Sequence, residues 1–321
     1  MPEVQEKTKK YFSLPIQLCF AVAVLLCSVL SLLMREFWLG VLFLIAAASG
    51  YACMIKATYP VLFSLVPLAS VAVGFLIPGV SLYGCFPVAV WVLCGCLIAV
   101  FPQRKYPKTY LTASLCTAML VLLFVWIVLV MELQTGSFSF SALKNAVNEG
   151  FNQAQQAVIN AFQDYEYVDA EQISNLFAWL PAFLPGILIT VVEITALCMI
   201  AVYMFLVKIF SCREKFEISD RPLEASRISA GVFTVAYLSY VITSGTNSVL
   251  TALSCNLWLI LLPLFVLIGF QGIKQRFKMR ALIFNRYIFY IGFVLVLLMY
   301  PFFALTFMAL IGVFETFARK R

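Results

Sequence analysis

The chain has no histidine. That removes the usual general base near neutral pH and the commonest transition-metal ligand. Charge is also scarce, with Asp, Glu, Lys and Arg making up 12% of 321 residues, against about a quarter in an ordinary soluble domain. No Gly-rich phosphate cradle of the Walker type occurs, which excludes ATP hydrolysis by that route. The apolar segments hold only one mid-segment acid, Glu193, so paired acid and base chemistry has no residues to carry it. These absences predict no enzymatic activity, no cofactor and no metal site. A polar opening, 1–10, leads straight into a full-length apolar run without a short h-region or an Ala-x-Ala site, and no cleaved leader is expected.

Cysteine is not lacking: there are ten. Nine of them, Cys19, Cys27, Cys53, Cys85, Cys94, Cys96, Cys116, Cys198 and Cys255, fall in or at the edge of apolar runs, and Cys212 sits by a basic loop. Cys94 and Cys96 are one residue apart and so point to different faces of a helix. With no histidine to complete a site, the cysteines are expected to be small, polarizable packing residues.

What the chain has in excess is apolar surface, 63% hydrophobic residues and a mean hydropathy of +0.99. That lies outside the soluble range and predicts an all-α, polytopic transmembrane bundle of about nine spans, within eight to ten. The expected spans are 14–33, 37–55, 59–76, 86–101, 110–131, 177–210, 228–243, 253–273 and 287–317. The segment 177–210 divides the chain, since it closes a polar insertion and opens the second half. Lys7, Lys9 and Lys10 before the first span place the N-terminus in the cytoplasm, and Arg104, Lys105 and Lys108 mark the same side. The charge excess of +7 sits in such inner loops, so it reads as orientation in a cell membrane and not as nucleic-acid binding. In the second span, Ala46-Ala47-Ala48-Ser49-Gly50 is a small-residue patch that lets a neighbour come close.

Between the fifth and sixth spans the character changes. From Glu132 to Glu171, the acids Glu132, Glu149, Asp164, Glu166, Asp169 and Glu171 stand against the single Lys144, which marks 133–176 as an expected extracytoplasmic segment. Leu143, Val147, Phe151, Ala154, Val158 and Phe162 recur every three or four residues and predict an amphipathic helix, with Ser139 or Ser141 as N-cap. A second short helix is expected from Asp169 towards Trp179. The amphipathic helix has two readings: a lid or plug over the outer mouth, or a helix at the headgroup boundary or packed on loops. Its acid-rich polar face argues against strong attraction to anionic lipid.

Glu193 lies near the middle of the sixth span. A carboxylate at that depth costs roughly 3 kcal/mol on insertion scales, so such groups usually face a bundle interior. Two readings stand, a group on a solute or ion pathway and a protonated, hydrogen-bonded structural Glu. Thr190 is its neighbour in sequence, and Asn247 and Asn256 are expected to approach from other spans, giving a candidate substrate-binding set of Glu193, Thr190, Asn247 and Asn256. Prolines 67, 185 and 263 fall within spans, where a freed carbonyl needs a new partner. The run Lys274, Arg276, Lys278 and Arg280, with no acid between, is a candidate cytoplasmic anchor for anionic headgroups. The last stretch, 287–317, is too long for one upright helix and too short for two ordinary ones. One tilted or kinked helix is favoured over a break at Tyr300-Pro301, which would keep both ends inside.

Two motifs carry a family resemblance: LIGFQGIKQRFKMR at 267–280, a Gly-x-x-Gly-Ile ending a span in a basic run, and LIGVFETFARKR at 310–321, a Gly-led, acid-containing, Arg-ending tail. With the order of spans and the polar outer segment, they resemble the YybS-like family of bacterial membrane proteins of unknown function. That family in turn resembles the S components of energy-coupling-factor vitamin transporters, six-helix bundles that bind a small molecule near the outer face. The resemblance implies an S-component-like bundle over 1–210, including 133–176, with 211–321 as additional transmembrane helices. The functional expectation is a transport-type protein binding a small solute, with the lipid bilayer and possible membrane-protein neighbours as partners. The alternative is a non-transporting scaffold for envelope or division machinery, acting through the charge-balanced loop 211–227 and the acidic outer segment.

Overall fold

A computed structural model of the chain describes residues 14–33, 37–56, 60–76, 85–101, 108–136, 138–162, 170–209, 223–244, 249–279 and 283–318. Among them are eleven helices and no strand. In order these are α1 (Leu14–Leu33), α2 (Phe37–Lys56), α3 (Pro60–Leu76), α4 (Cys85–Val100), α5 (Lys108–Thr135), α6 (Phe140–Phe162), α7 (Ala170–Ile209), α8 (Arg227–Thr243), α9 (Val249–Met279), α10 (Ile283–Met299) and α11 (Pro301–Ala318). Four apolar segments, Lys108–Leu133, Leu180–Ile209, Val249–Phe277 and Pro301–Ala318, are long enough to cross a membrane, and five shorter apolar helices accompany them. Such an all-helical chain is compatible with a multi-pass membrane protein. It divides into two compact units, Met1–Trp126 with Val192–Glu224, and Ile127–Val191 with Ala225–Arg321.

In the first unit α2 packs chiefly on α1 and α4. The small-residue patch makes this possible. Ala47, Ala48 and Ser49 are fully buried, and a Cβ on Gly50 would come within 2.7 Å of a Val24 methyl. On α4, a Cβ on Gly95 would lie 2.8 Å from the Tyr51 ring and 2.9 Å from the Ala48 carbonyl. Close backbones bring short polar side chains into reach of one another. Trp91 Nε1 donates to Ser28 Oγ at 3.0 Å, and Ser49 Oγ donates to Ile45 O at 2.8 Å and Met199 O at 3.0 Å. Trp91, Tyr203, Leu111 and Leu115 fill the middle of this core.

In the second unit α5 stops at Gly136, whose φ of 73° and N–H bond to Glu132 O (2.9 Å) form a left-handed helix cap. Ser139 is the residue that opens α6: its hydroxyl accepts from Ala142 N–H at 3.1 Å and its carbonyl from Leu143 N–H. Along α6, Leu143, Val147, Phe151 and Val158 are half-buried, while Ala154 is exposed. The segment expected as a separate short helix before the sixth span is instead the first part of α7, which runs unbroken for 40 residues through Pro181 and Pro185. Asp169, its expected cap, lies outside the described residues.

Helix α9 is the axis of this unit, and ring contacts fix the sense of its neighbours. Phe233 meets Phe265 (5.1 Å between centroids) and Tyr240 stacks on Trp258 (5.4 Å), so α8 runs antiparallel to α9. Phe270 meets Phe293 and Phe277 meets Phe289, so α10 is antiparallel as well. Helix α11 is parallel to α9: Gly269 lies against Met308 and Gly312, and Gly272 and Arg276 against Glu315. The 287–317 stretch is therefore two helices of opposite sense, divided at Tyr300, and not one long one. An uninterrupted helix would put residues 289 and 315 about 39 Å apart at 1.5 Å per residue, yet both touch successive residues of α9, Phe277 and Arg276. Pro301, with no N–H to give and a fixed φ, suits the first position of the returning helix. The missing polar turn, which argued for one helix, is not needed when a single proline ends the run.

Candidate functional site

Of the residues singled out from the sequence, Thr190 and Asn256 come together, both on the contact of α7 with α9 in the second unit. Asn256 Oδ1 accepts from Gly186 N–H at 2.9 Å, and Asn256 Nδ2 donates to Ala182 O at 2.9 Å. In a regular α-helix that donor and that acceptor bond to each other. The carboxamide thus bridges one rung of α7 beside Pro185, and the fixed polarity of the two backbone groups sets which amide atom is oxygen. Only glycine permits the approach: a Cβ at Gly186 would collide with Asn256 Oδ1 and lie 2.8 Å from Asn256 Cα.

Thr190 performs the reciprocal repair. Its single hydroxyl proton is shared between Gly186 O at 2.7 Å and Leu259 O at 2.9 Å. Leu259 stands four residues before Pro263, which has no N–H, so the hydroxyl reaches the carbonyl that Pro263 leaves without its helical donor. Two helices with prolines in their interior therefore hydrogen-bond to each other's backbone. The Thr190 hydroxyl proton, one Asn256 N–H and one Asn256 Oδ1 lone pair are used in that contact.

Glu193 belongs to the first unit. It stands near the middle of the apolar segment Leu180–Ile209, is half-buried, and has no hydrogen bond or ion pair among the described residues. It lies within electrostatic range of Cys116 on α5. The remaining member of the expected set, Asn247, lies outside the described residues. Among the described residues no cluster of His, Cys, Asp and Glu could hold a metal ion, and Cys19, Cys27, Cys53, Cys94, Cys96, Cys116, Cys198 and Cys255 are in no disulfide.

At the end of α9, Lys274 and Arg276 are exposed. Lys278 is on the same helix, and Arg280 lies outside the described residues. Arg276 is not a free cation, because its Nη2 is 2.5 Å from Glu315 Oε1, with the arginine side chain 55% and the glutamate 13% exposed. Gly272 makes room for that carboxylate: a Cβ there would sit 2.5 Å from Glu315 Cγ. Sequence reasoning missed Glu315 and Gly186. Glu315 was visible only as the acid within the Gly-led tail, whose Gly312 faces Gly269 of the other motif. The two stretches that carried the family resemblance are thus packing partners.

No family model, no curated protein and no solved structure matches this chain.

Proposed function

We propose that the chain is a multi-pass cell-membrane protein of transport type, which binds a small solute or ion within its helical bundle at Glu193. One observation carries this reading: a carboxylate stands mid-way along a 30-residue apolar segment with no hydrogen bond or ion pair among the described residues. A group that costs roughly 3 kcal/mol at such depth is expected to be retained for what it binds. Its charge suits a cation, a proton or an amine-bearing solute. The resemblance of the 267–280 and 310–321 motifs to YybS-like proteins, and of those to S components, points the same way.

In this reading the described helices other than α6 cross the bilayer, ten passes in all. The N-terminus is cytoplasmic and 133–176 is extracytoplasmic. The parallel run of α9 and α11 supports a cytoplasmic C-terminus, since both helices lead into basic residues. The test is a thermal-shift and uptake screen of the detergent-purified chain against monovalent and divalent cations and vitamins. A stabilising compound should lose its effect in Glu193→Gln. A mutant that responds like the parent to every compound that acts would remove Glu193 from the site.

A second reading, a non-transporting membrane scaffold, is favoured by the bond from Thr190 to Leu259 O. There a carbonyl freed by a proline, of the kind that lines cavities in many transporters, is closed by a protein group. Crosslinking from both 211–227 and 133–176 that captures one common partner would favour it.

A further inference from the structure

The second unit carries a groove of about 360 Å³ between α9 and α11, lined by Ile273, Arg276, Phe307, Leu310, Ile311 and Phe314. Five of the six lining side chains are apolar, and the sixth is a guanidinium. The volume is within the roughly 300–1,000 Å³ of small-ligand sites. We propose that this groove is a binding site for one anionic phospholipid, an acyl chain lying along the phenylalanine wall and the phosphate on Arg276.

The walls belong to α11, where Phe307, Leu310 and Phe314 follow one another at steps of three and four and share a face. All three are at least 39% exposed, so this face is left open by the helices packed on it. Arg276 stands where the apolar run of α9 passes into basic residues, the depth at which headgroups lie. Glu315 holds the guanidinium through Nη2. That leaves other N–H donors of the five available to a phosphate, whose oxygens the planar fork fits in pairs. The 55% exposure of Arg276 keeps those donors reachable. A zwitterionic headgroup brings its own cation to the phosphate and gains less from such a site. Detergent or a second copy of the chain would need only the apolar wall.

The proposal rests on the membrane reading, and one preparation separates the two. The full chain, purified in detergent, is titrated with dioleoylphosphatidylglycerol or dioleoylphosphatidylcholine and bound lipid is counted by native mass spectrometry. One phosphatidylglycerol should be held in preference to phosphatidylcholine. Arg276→Gln should weaken it about fivefold, near the attraction of one basic side chain to an anionic surface. Leu310→Trp, at a partly exposed position away from the ion pair, should weaken it by obstructing the groove, and Lys144→Gln, at an exposed position on α6, should leave it unchanged. Equal retention of the two lipids, equal loss in Lys144→Gln, or full retention in Leu310→Trp would overturn the site. So would a dimer that Leu310→Trp dissociates. A chain that remains in solution without detergent would remove the membrane reading together with the site, whereas one that requires detergent and shows no lipid preference removes the site alone.

Discussion

Glu193 and Glu315 are both acids embedded in apolar helices, and the chain treats them in opposite ways. Glu315 is nearly buried near the end of α11, with a glycine opposite to give it space and an arginine on its oxygen. Glu193 is half-buried mid-helix and has no such partner among the described residues. The first has the surroundings of a structural group, whose charge is answered within the fold. The second has no counter-charge among the described residues, which is why it carries the functional proposal. The contrast teaches that an apolar helix containing an acid does not by itself mark a site. The test is whether the fold supplies the counter-charge.

The contrast can be sharpened first at the contact that positions Glu315. Gly269 and Gly312 let α9 and α11 approach until an added Cβ at either would strike the other's backbone carbonyls, Met308 O and Phe265 O. Gly312→Leu should be the most damaging change considered, costing about 3 kcal/mol or more by overpacking. It would appear as loss of a cooperative Tm and of monodisperse protein in detergent. Next comes Asn256→Leu, which strips Gly186 N–H and Ala182 C=O of the bridging amide; about 1–3 kcal/mol is expected, towards the low end if the α7 rung closes on itself. Asn256→Asp keeps the acceptor and loses the donor, so its Tm should fall between parent and Asn256→Leu. Arg276→Gln is smaller. The arginine is more than half exposed, so solvent screens the lost pair and about 1 kcal/mol is expected. Adding Glu315→Gln should recover part of that loss, because the uncompensated carboxylate goes with it. Strictly additive losses would mean that the pair contributes nothing.

How much of this was legible beforehand follows from the range over which each signal acts. Helix content, the apolar runs and the close approach at 46–50 could be read, since composition and small-residue spacing are local and act directly on the backbone. The N-cap of α6 was legible to within two residues for the same reason. The reversal at Tyr300 was not chosen, because hydropathy is blind to direction and the deciding fact is tertiary, the company of Phe277 with Phe289 and of Arg276 with Glu315. The continuity of α7 through Pro181 and Pro185 was hidden likewise, since the amide that spans the rung comes from a residue seventy positions away. Thr190 and Asn256 were singled out as polar groups in apolar runs, and they meet at one contact. Composition could not say that they bond to backbone beside Pro185 and four residues before Pro263, a matter of which carbonyl each hydroxyl or amide meets.

Replacing Glu193 gives the smallest expected change in stability and the strongest test of the comparison. If the fold offers its carboxylate nothing, Glu193→Gln should leave the Tm of the solute-free protein within about 0.5 kcal/mol of the parent, the usual spread for a side chain without a structural role. Glu193→Leu should raise it, because an apolar side chain of similar size ends the cost of holding the acid there, at most about 3 kcal/mol on insertion scales and less at a half-buried position. Glu315→Leu should do the reverse and lower the Tm, leaving Arg276 without its counter-charge. Opposite signs from the same substitution at two acids would establish that one is structural and the other is held for a ligand. A fall in Glu193→Leu as large as that in Glu315→Leu would place both acids in the structural class and take away the footing of the transport reading, whatever the solute screen returns.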